Sequence, residues 1–200
     1  MDGTLLDSSK SITKSINYVR KELGLPPFSV EKVTKLINEP DINLPKLFYE
    51  ERKPYEECRK IFEKHYYEQC VKDMSIYEGI EDMLKKLSKD GYILSVATNA
   101  REKYAKKMLN HQNIDKYFRF ILGSDSLNSR KPDPQMIHHI LNECKIDKND
   151  AVMIGDSLKD EEAAKNAGVE YIFVTWGFGE CKEPDFTLQP ENLKDIYKIV

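Results

Sequence analysis

Two aspartates in the last quarter of the chain have a spacing that suits metal-assisted chemistry. Asp156 follows a predicted strand, and Asp160 lies four residues later, in the first turn of a predicted helix. Residues four apart on a helix are neighbours on its surface, so both carboxylates can point the same way. Two such carboxylates suit Mg2+, which prefers oxygen ligands and usually keeps several of its waters.

Two further residues could bind a phosphoryl group beside that metal. Lys131 could bind its oxygens by charge and Thr98 by a hydrogen bond. A metal together with a lysine offsets the charge of a transferring phosphoryl group, and an aspartate nucleophile would complete a phosphoaspartyl mechanism. Taken singly, these residues have ordinary explanations: Thr98 as a strand-end cap, Lys131 as a surface lysine in a turn, and Asp156 as a helix cap.

The elements that must position these residues begin with a helical block. Apolar residues recur at helical spacing over about 8–23, more weakly over 30–37, and again over 54–69. A break is expected around Pro40 and Asp41, followed by a short apolar piece. None of these segments has a strand pattern, so the first seventy-odd residues after the opening motif are predicted to be all helical.

From about residue 80 the pattern changes to short apolar strands that alternate with helices. Strands are predicted at 92–97, 118–122, 151–154 and 171–174. Asp133 and Pro134 stand where an N-cap and a first helical residue belong, and a last helix is predicted near 193–200. This alternation predicts an α/β fold with right-handed crossovers and a doubly wound parallel sheet.

The polar clusters of this half follow the predicted strands. Thr98-Asn99, Asp125 and Gly155-Asp156-Ser157 each come directly after one of them. Ligands bind doubly wound sheets beyond the carboxyl ends of the strands. The sequence therefore predicts that these clusters share one ligand-binding edge.

Composition excludes several other classes of protein. The 200 residues are 40% hydrophobic and 32% charged with a net charge of -3, so no basic surface for nucleic acid is indicated. The sequence has no apolar run of the roughly 20 residues that a membrane span needs. It also contains no glycine-rich dinucleotide or P-loop motif. Its four widely spaced cysteines are expected to be reduced and mostly structural, which favours a cytoplasmic protein.

Four stretches together resemble the motifs of haloacid-dehalogenase-superfamily phosphatases, and within them the phosphoglycolate-phosphatase-like enzymes with a helical cap. They are Asp2-Gly3-Thr4-Leu5-Leu6-Asp7-Ser8, Ser95-Val96-Ala97-Thr98-Asn99, Lys131-Pro132-Asp133-Pro134 and Gly155-Asp156-Ser157-Leu158-Lys159-Asp160. Val174 to Gly179 is also similar to a loop common in that branch. The resemblance implies a Rossmann-like core of residues 1–11 and 78–200, with an inserted all-helical cap of residues 12–77.

The resemblance also implies a role for each matching residue. Asp2 would be the general acid and base and would help to hold Mg2+, the implied cofactor. Asp156 would be a direct metal ligand, and Asp160 would hold the metal's waters. Lys131 would steady the nucleophile and the phosphoryl group. The phosphate would be bound by Gly3, Thr4, Thr98 and Asn99.

The match departs from the family pattern at its first residue. The family motif is Asp-x-Asp-Gly-Thr, in which the first Asp is the nucleophile, and Met1 occupies the x position here. The nucleophile and the apolar strand that carries it would therefore precede Met1. We expect the natural protein to begin several residues earlier, and we expect little or no phosphatase activity from the chain as printed.

Several functions stay open on the sequence alone. The first is a Mg2+-dependent phosphatase acting on a small phosphorylated metabolite such as phosphoglycolate. Within the same fold, a pyrophosphatase, a nucleotidase or a phosphosugar mutase is possible. Outside it, a receiver-type phospho-acceptor also combines acids, a threonine and a lysine around Mg2+, and a third reading is an inactive binding protein. The sequence leaves monomer and homodimer open.

Overall fold

The computed structural model describes residues 1–38 and 43–199. Nine helices and seven strands are assigned within these ranges. The strands are β1 (Leu6–Asp7), β2 (Ser75–Ile76), β3 (Leu94–Ala97), β4 (Phe118–Leu122), β5 (Val152–Gly155), β6 (Glu170–Val174) and β7 (Phe186–Leu188). The helices are α1 (Ser9–Glu22), α2 (Val30–Asn38), α3 (Leu44–Tyr49), α4 (Tyr55–Gln69), α5 (Ile80–Lys89), α6 (Glu102–His111), α7 (Gln135–Cys144), α8 (Leu158–Ala167) and α9 (Ile196–Ile199).

Helices α1 to α4 form the predicted helical block. Their apolar faces meet in a small cluster of their own, which includes Ile16, Val19, Val33 and Cys58. The buried Arg20 guanidinium donates to the carbonyls of Pro26 and Phe48, at 2.6 and 2.5 Å, and so connects both the α1–α2 loop and α3 to α1. The break predicted around Pro40 and Asp41 lies outside the described residues.

Two very short strands were not predicted by the sequence. β1 and β2 pair antiparallel, with Leu6 opposite Ile76 and Asp7 opposite Ser75. A two-residue strand is too short to show an alternating pattern, which explains why the sequence gave no signal. This ribbon brings together the two chain segments that flank the helical block.

The remaining strands are parallel, as predicted, and confirm the α/β fold class. β3 pairs with β4, and β6 lies between β5 and β7. β7 is a three-residue strand that the sequence analysis missed. Among the described residues the sheet is in two pieces, because no strand lies between β3 and β5.

The main apolar cluster lies between these strands and the helices that cover them. α5 contributes Met83, Leu84 and Leu87 at helical spacing, and α6 contributes Met108 and Leu109. All four cysteines are unpaired, in agreement with the sequence prediction. None of the described helices is long and apolar enough to cross a membrane.

The start of α7 differs slightly from its prediction. The helix begins at Gln135, one residue later than Pro134, which instead is the residue before the helix. The Asp133 carboxylate accepts a hydrogen bond from the Gln135 backbone N–H at 2.8 Å. Asp133 therefore caps the helix as predicted, but from one residue further away. At the other end of the chain the last helix is described to Ile199, and Val200 lies outside the described residues.

Candidate active site

Asp156 lies at the carboxyl end of β5, directly after Gly155, and its carboxylate is buried. The Thr4 hydroxyl donates to its Oδ1 at 3.0 Å, and the Phe178 backbone N–H donates to its Oδ2 at the same distance. Thr4 comes from the opening motif and Phe178 from the loop after β6. The Asp156 carboxylate therefore joins three segments that are far apart in the sequence.

Lys131 and Asp160 form a buried ion pair beside Asp156. The Lys131 Nζ lies 2.5 Å from Asp160 Oδ1, and both side chains are almost fully buried. The other oxygen, Oδ2, accepts hydrogen bonds from the Ser157 hydroxyl at 2.8 Å and from the Asp156 backbone N–H at 3.2 Å. The Asp160 carboxylate is thus held by three groups, and it fixes the ammonium of Lys131 at the end of β5.

The two buried carboxylates have opposite pKa shifts. Burial raises the pKa of Asp156, and the neighbouring Asp160 charge raises it further. For Asp160, burial is the largest single influence and acts upward, but the Lys131 ammonium and the hydrogen-bond donors outweigh it, so that its pKa lies below the usual range. Asp160 therefore has the Lys131 ammonium beside it, whereas Asp156 is held by the Thr4 hydroxyl and the Phe178 N–H.

Asn99 connects the end of β3 to Lys131. Its side-chain amide donates to the Lys131 carbonyl at 2.9 Å, and its side-chain oxygen accepts from the Lys131 backbone N–H at 2.9 Å. Both hydrogen-bonding groups of Asn99 therefore contact the lysine's backbone. Thr98, also buried, accepts a hydrogen bond from the Ala100 backbone N–H at 3.1 Å, and its own hydroxyl proton has no acceptor in this contact.

Asp2 lies next to the start of α1. Its Oδ1 accepts a hydrogen bond from the Ser8 hydroxyl at 2.5 Å, and Ser8 is the N-cap residue of that helix. The partial positive charge of a helix N-terminus favours a carboxylate there. Ser8 thereby holds the Asp2 carboxylate in place at the start of α1.

The amino group of Met1 is buried among these side chains. Burial and the Lys131 ammonium lower its pKa, while the carboxylates of Asp160, Asp2 and Asp156 act in the opposite direction. Charges that influence one another in this way lie close together in space. The main-chain nitrogen of Met1 therefore lies near Lys131 and these three carboxylates.

Two glycines allow the backbone to approach Asp156 closely. Gly3 has a φ of +75°, and a Cβ built on it would lie 2.1 Å from Asp156 Oδ2. A Cβ on Gly177 would lie 2.2 Å from the Asp156 Cβ and 2.5 Å from the Gly3 carbonyl oxygen. In the same loop, the Trp176 indole donates to the Thr4 carbonyl at 3.1 Å. The loop after β6 is thus part of the site rather than an ordinary turn.

The donor set fits a hard divalent cation. Asp156 and Asp2 offer carboxylate oxygens, and backbone carbonyl oxygens lie alongside; Mg2+ prefers such oxygen ligands. Burial and the Asp160 charge raise the pKa of Asp156, and a cation bound there would act in the opposite direction. In the described part of the chain, no group of three or more His, Cys, Asp or Glu side chains is already arranged as a metal cage.

The structure brings together most of the residues that the sequence singled out. Direct contacts connect Thr4 to Asp156, Lys131 to Asp160, and Asn99 to Lys131. Sequence reasoning missed the parts played by Ser8, Ser157 and the Phe178 backbone. Ser8 and Ser157 lie inside the quoted motifs, but the sequence does not indicate which group a serine hydroxyl will bind. The hydrogen bond of the Phe178 backbone N–H could not be predicted at all, because it does not depend on the side chain.

Comparisons with known proteins identify the family of the chain. The model of the haloacid dehalogenase-like hydrolase family matches residues 1–174. Phosphoglycolate phosphatase of Aquifex aeolicus is 34% identical over 202 residues, covering 100% of this chain and 93% of that protein. Phosphoglycolate phosphatase 1 of Pseudomonas aeruginosa is 30% identical over 210 residues, covering 98% and 76%. The crystal structure of a predicted phosphoglycolate phosphatase from Haemophilus somnus has a TM-score of 0.88 at 27% identity, covering 100% and 94%.

A parallel α/β core, a helical block and acidic residues at the strand ends define a class of hydrolase. The chain belongs to the haloacid dehalogenase-like hydrolase family. The resemblance inferred from the four motifs is therefore confirmed, and the enzyme class is confirmed at the level of this phosphatase-containing family.

Proposed function

We propose that this chain forms the active site of a Mg2+-dependent phosphatase that hydrolyses a small phosphomonoester of the phosphoglycolate type. The observation that carries the proposal is the position of Lys131. Its ammonium is buried beside Asp160, and Asn99 holds its backbone at the end of β3. A buried, fixed cation at the carboxyl edge of a parallel sheet suits the charge of a phosphoryl group.

The phosphoryl group would bind between the opening motif and the end of β3. The Thr98 hydroxyl and the backbone N–H groups of Gly3 and Thr4 are the proposed donors, together with the Lys131 ammonium. Asn99 is also proposed to bind the phosphoryl group. Its two hydrogen bonds to the Lys131 backbone support a second role, in which it positions that lysine. Hydrogen bonds to charged oxygens are shorter and roughly twice as strong as neutral ones, so few donors suffice.

Mg2+ would be held by Asp156 and by Asp2, including the Asp2 main-chain carbonyl, with Asp160 placed to hold the metal's waters. When bound, it would offset negative charge at the transferring phosphoryl group. Asp156 needs no large movement for this role, because the Thr4 hydroxyl and the Phe178 N–H already fix both of its oxygens.

Asp2 is the proposed general acid and base. It would protonate the leaving alcohol and then take a proton from the water that attacks the phosphoaspartate. Its hydrogen bond to Ser8 orients the carboxylate for both steps. A carboxylate added on a residue directly before Met1 would act as the nucleophile, because the Met1 nitrogen lies close enough to the Lys131 ammonium to be influenced by its charge.

The helical block, residues 12–77, is the proposed cap that closes over the site and selects the substrate. The Lys159 ammonium on α8 donates to the Ile37 carbonyl on α2 at 2.8 Å, which connects this block to the motif that contains Asp156 and Asp160. The proposed substrate is a small phosphorylated metabolite in the cytoplasm, where unpaired cysteines are usual.

A substrate panel tests the proposal. The protein is produced with five apolar β-forming residues and an aspartate added directly before Met1, and it is assayed with phosphoglycolate, sugar phosphates, nucleotides and pyrophosphate. We expect Mg2+-dependent turnover that EDTA abolishes, with small monoesters preferred. The Asp156→Asn variant is the matched control and should be inactive. Stable single phosphorylation without turnover, or a preference for pyrophosphate, would contradict the proposal.

A further inference from the structure

The loop after β6 lies directly against Asp156. A Cβ on Gly177 would lie 2.2 Å from the Asp156 Cβ, and a Cβ on Gly179 would lie 2.5 Å from the Asp156 carbonyl oxygen. Between these glycines, the Phe178 backbone N–H donates to Asp156 Oδ2 at 3.0 Å. The loop therefore contacts Asp156 through its backbone, and neither glycine position has room for a side chain.

Trp176, at the start of this loop, reaches the other carboxylate oxygen through Thr4. Its indole N–H donates to the Thr4 carbonyl at 3.1 Å, and the buried Thr4 hydroxyl donates to Asp156 Oδ1 at 3.0 Å. An indole has one donor and no acceptor, so this bond uses its whole hydrogen-bonding capacity. Together with the chain from Trp176 to Phe178, these hydrogen bonds form a closed ring around the Asp156 carboxylate.

Tyr77 connects this ring to the end of the helical block. Its backbone N–H donates to the Leu5 carbonyl at 3.1 Å, next to the Thr4 carbonyl that Trp176 binds. The centroids of the Tyr77 and Trp176 rings are 6.2 Å apart, with 55° between the ring planes, which is a favourable distance for an aromatic pair. Tyr77 directly follows β2, where the chain returns from the helical block. Two residues that pack against each other therefore hold two successive carbonyls of the opening motif.

We propose that Trp176 is a positioning residue that fixes the orientation of the Asp156 carboxylate for Mg2+, and that Tyr77 holds the indole in place. This inference rests on the proposed function, because it takes Asp156 as a metal ligand. Groups that orient a ligand contribute to metal affinity although they do not touch the metal. Trp176 acts in this way through the Thr4 hydroxyl and through the backbone of Phe178.

Isothermal titration calorimetry with MgCl2 tests the inference on the 200-residue chain. Trp176→Phe keeps an aromatic ring beside Tyr77 and removes only the indole and its N–H. We expect its Mg2+ affinity to fall by about threefold to tenfold, the equivalent of one hydrogen bond. Tyr77→Leu removes the ring contact and should weaken Mg2+ binding as well. Tyr77→Phe is the matched control and should bind Mg2+ like the wild-type chain, because it keeps both the ring and the backbone N–H.

Two further measurements separate positioning from general stability. Trp176 is the single tryptophan, so an isotope-labelled chain gives one indole N–H signal in its NMR spectrum. Mg2+ should shift this signal in the wild-type chain and should not shift it in Asp156→Asn. Val33→Ala removes buried apolar contacts within the helical block and should lower Tm in EDTA, but its Mg2+ affinity should equal that of the wild-type chain.

The outcomes distinguish this inference from the proposed function. Equal Mg2+ affinity of the wild-type chain and Trp176→Phe would overturn the inference alone, as would an indole signal that does not respond to bound Mg2+. Val33→Ala that loses as much affinity as Trp176→Phe would also overturn it, because reduced stability would then explain the loss. Absence of Mg2+ binding by the wild-type chain would overturn the inference together with the proposed metal site.

Discussion

The ion pair between Lys131 and Asp160 is the most constrained contact in the site. Both side chains are nearly fully buried, and the carboxylate has further bonds to Ser157 and to the Asp156 backbone. A buried ion pair contributes little net stability, but removal of one partner leaves an uncompensated charge at a cost of about 3–5 kcal/mol. The pair therefore fixes the position of Lys131 more than it stabilises the fold.

Replacement of Lys131 tests that interpretation. We expect Lys131→Met to lower the free energy of unfolding by about 3–5 kcal/mol, because Asp160 is left charged and buried. Lys131→Met/Asp160→Asn removes both charges and should recover most of the stability. Neither variant should have phosphatase activity when it is made in the protein with five apolar residues and an aspartate added before Met1. Chemical denaturation gives the free energies, and equal stability of the single and double variants would contradict the account.

The lowered pKa of Asp160 predicts a dependence of stability on pH. A carboxyl group whose pKa is lower in the folded protein contributes stability above its unfolded pKa, and that contribution is lost as the pH falls through the folded value. We therefore expect the wild-type chain to lose stability below about pH 4 more steeply than Lys131→Met/Asp160→Asn, with the unfolded Asp pKa near 3.9 as reference. Thermal unfolding between pH 2 and 6 measures the difference, and parallel curves would rule out this contribution.

Asp156 has the opposite shift and gives the opposite prediction. Its raised pKa means that the ionised carboxylate destabilises the metal-free fold at neutral pH. An asparagine could still accept from the Phe178 N–H and could donate to the Thr4 hydroxyl. We expect Asp156→Asn to raise Tm without metal, by about 2–4 °C for each 1 kcal/mol gained, and to abolish activity. A lower Tm measured in EDTA would contradict this reading.

Two helices connect the helical block to the core at separate places. On α4, the Glu63 carboxylate binds Arg101 and Lys103 of the core at 2.7 and 3.2 Å. On α8, Lys159 reaches the Ile37 carbonyl of α2. The first contact lies at the start of α6, whereas the second lies on α8, within the motif that contains Asp156 and Asp160. The Lys159 contact is therefore placed to affect closure.

We expect Lys159→Ala to raise the KM of the strand-extended enzyme several-fold with a smaller change in kcat, because the helical block would close less often over the substrate. Lys165→Ala is the matched control, since Lys165 is an exposed residue of the same helix. Steady-state kinetics with one phosphomonoester separates the two effects. An unchanged KM in Lys159→Ala would show that this contact does not contribute to closure.

The elements themselves were largely predictable from the sequence. β4 matches its predicted range, and β3, β5 and β6 lie within two residues of theirs, because a short apolar run that ends in a polar turn is a strong pattern. β1, β2 and β7 were missed, since strands of two or three residues carry too few positions to show a period. The hydrogen bonds between Asn99 and Lys131 could not be predicted from the sequence either, because they depend on tertiary packing.

At the scale of the whole molecule, the candidate site connects the two pieces of the sheet. Asn99, directly after β3, binds the backbone of Lys131, and the Lys131 ammonium binds Asp160 in the helix that follows β5. Thr4 of the opening motif donates to Asp156 at the end of β5. Residues from distant parts of the chain are therefore held together at one site.

The most direct test compares two proteins that differ by one functional group. Each protein has five apolar residues and then one further residue added directly before Met1. That further residue is Asp in one protein and Asn in the other. Hydrolysis of p-nitrophenyl phosphate is measured with Mg2+. We predict multiple turnovers for the Asp protein and a rate at least about a hundredfold lower for the Asn protein, since covalent catalysis requires the carboxylate. Equal rates in the two proteins, or no turnover by either folded protein, would contradict the assignment of these residues to a phosphatase active site.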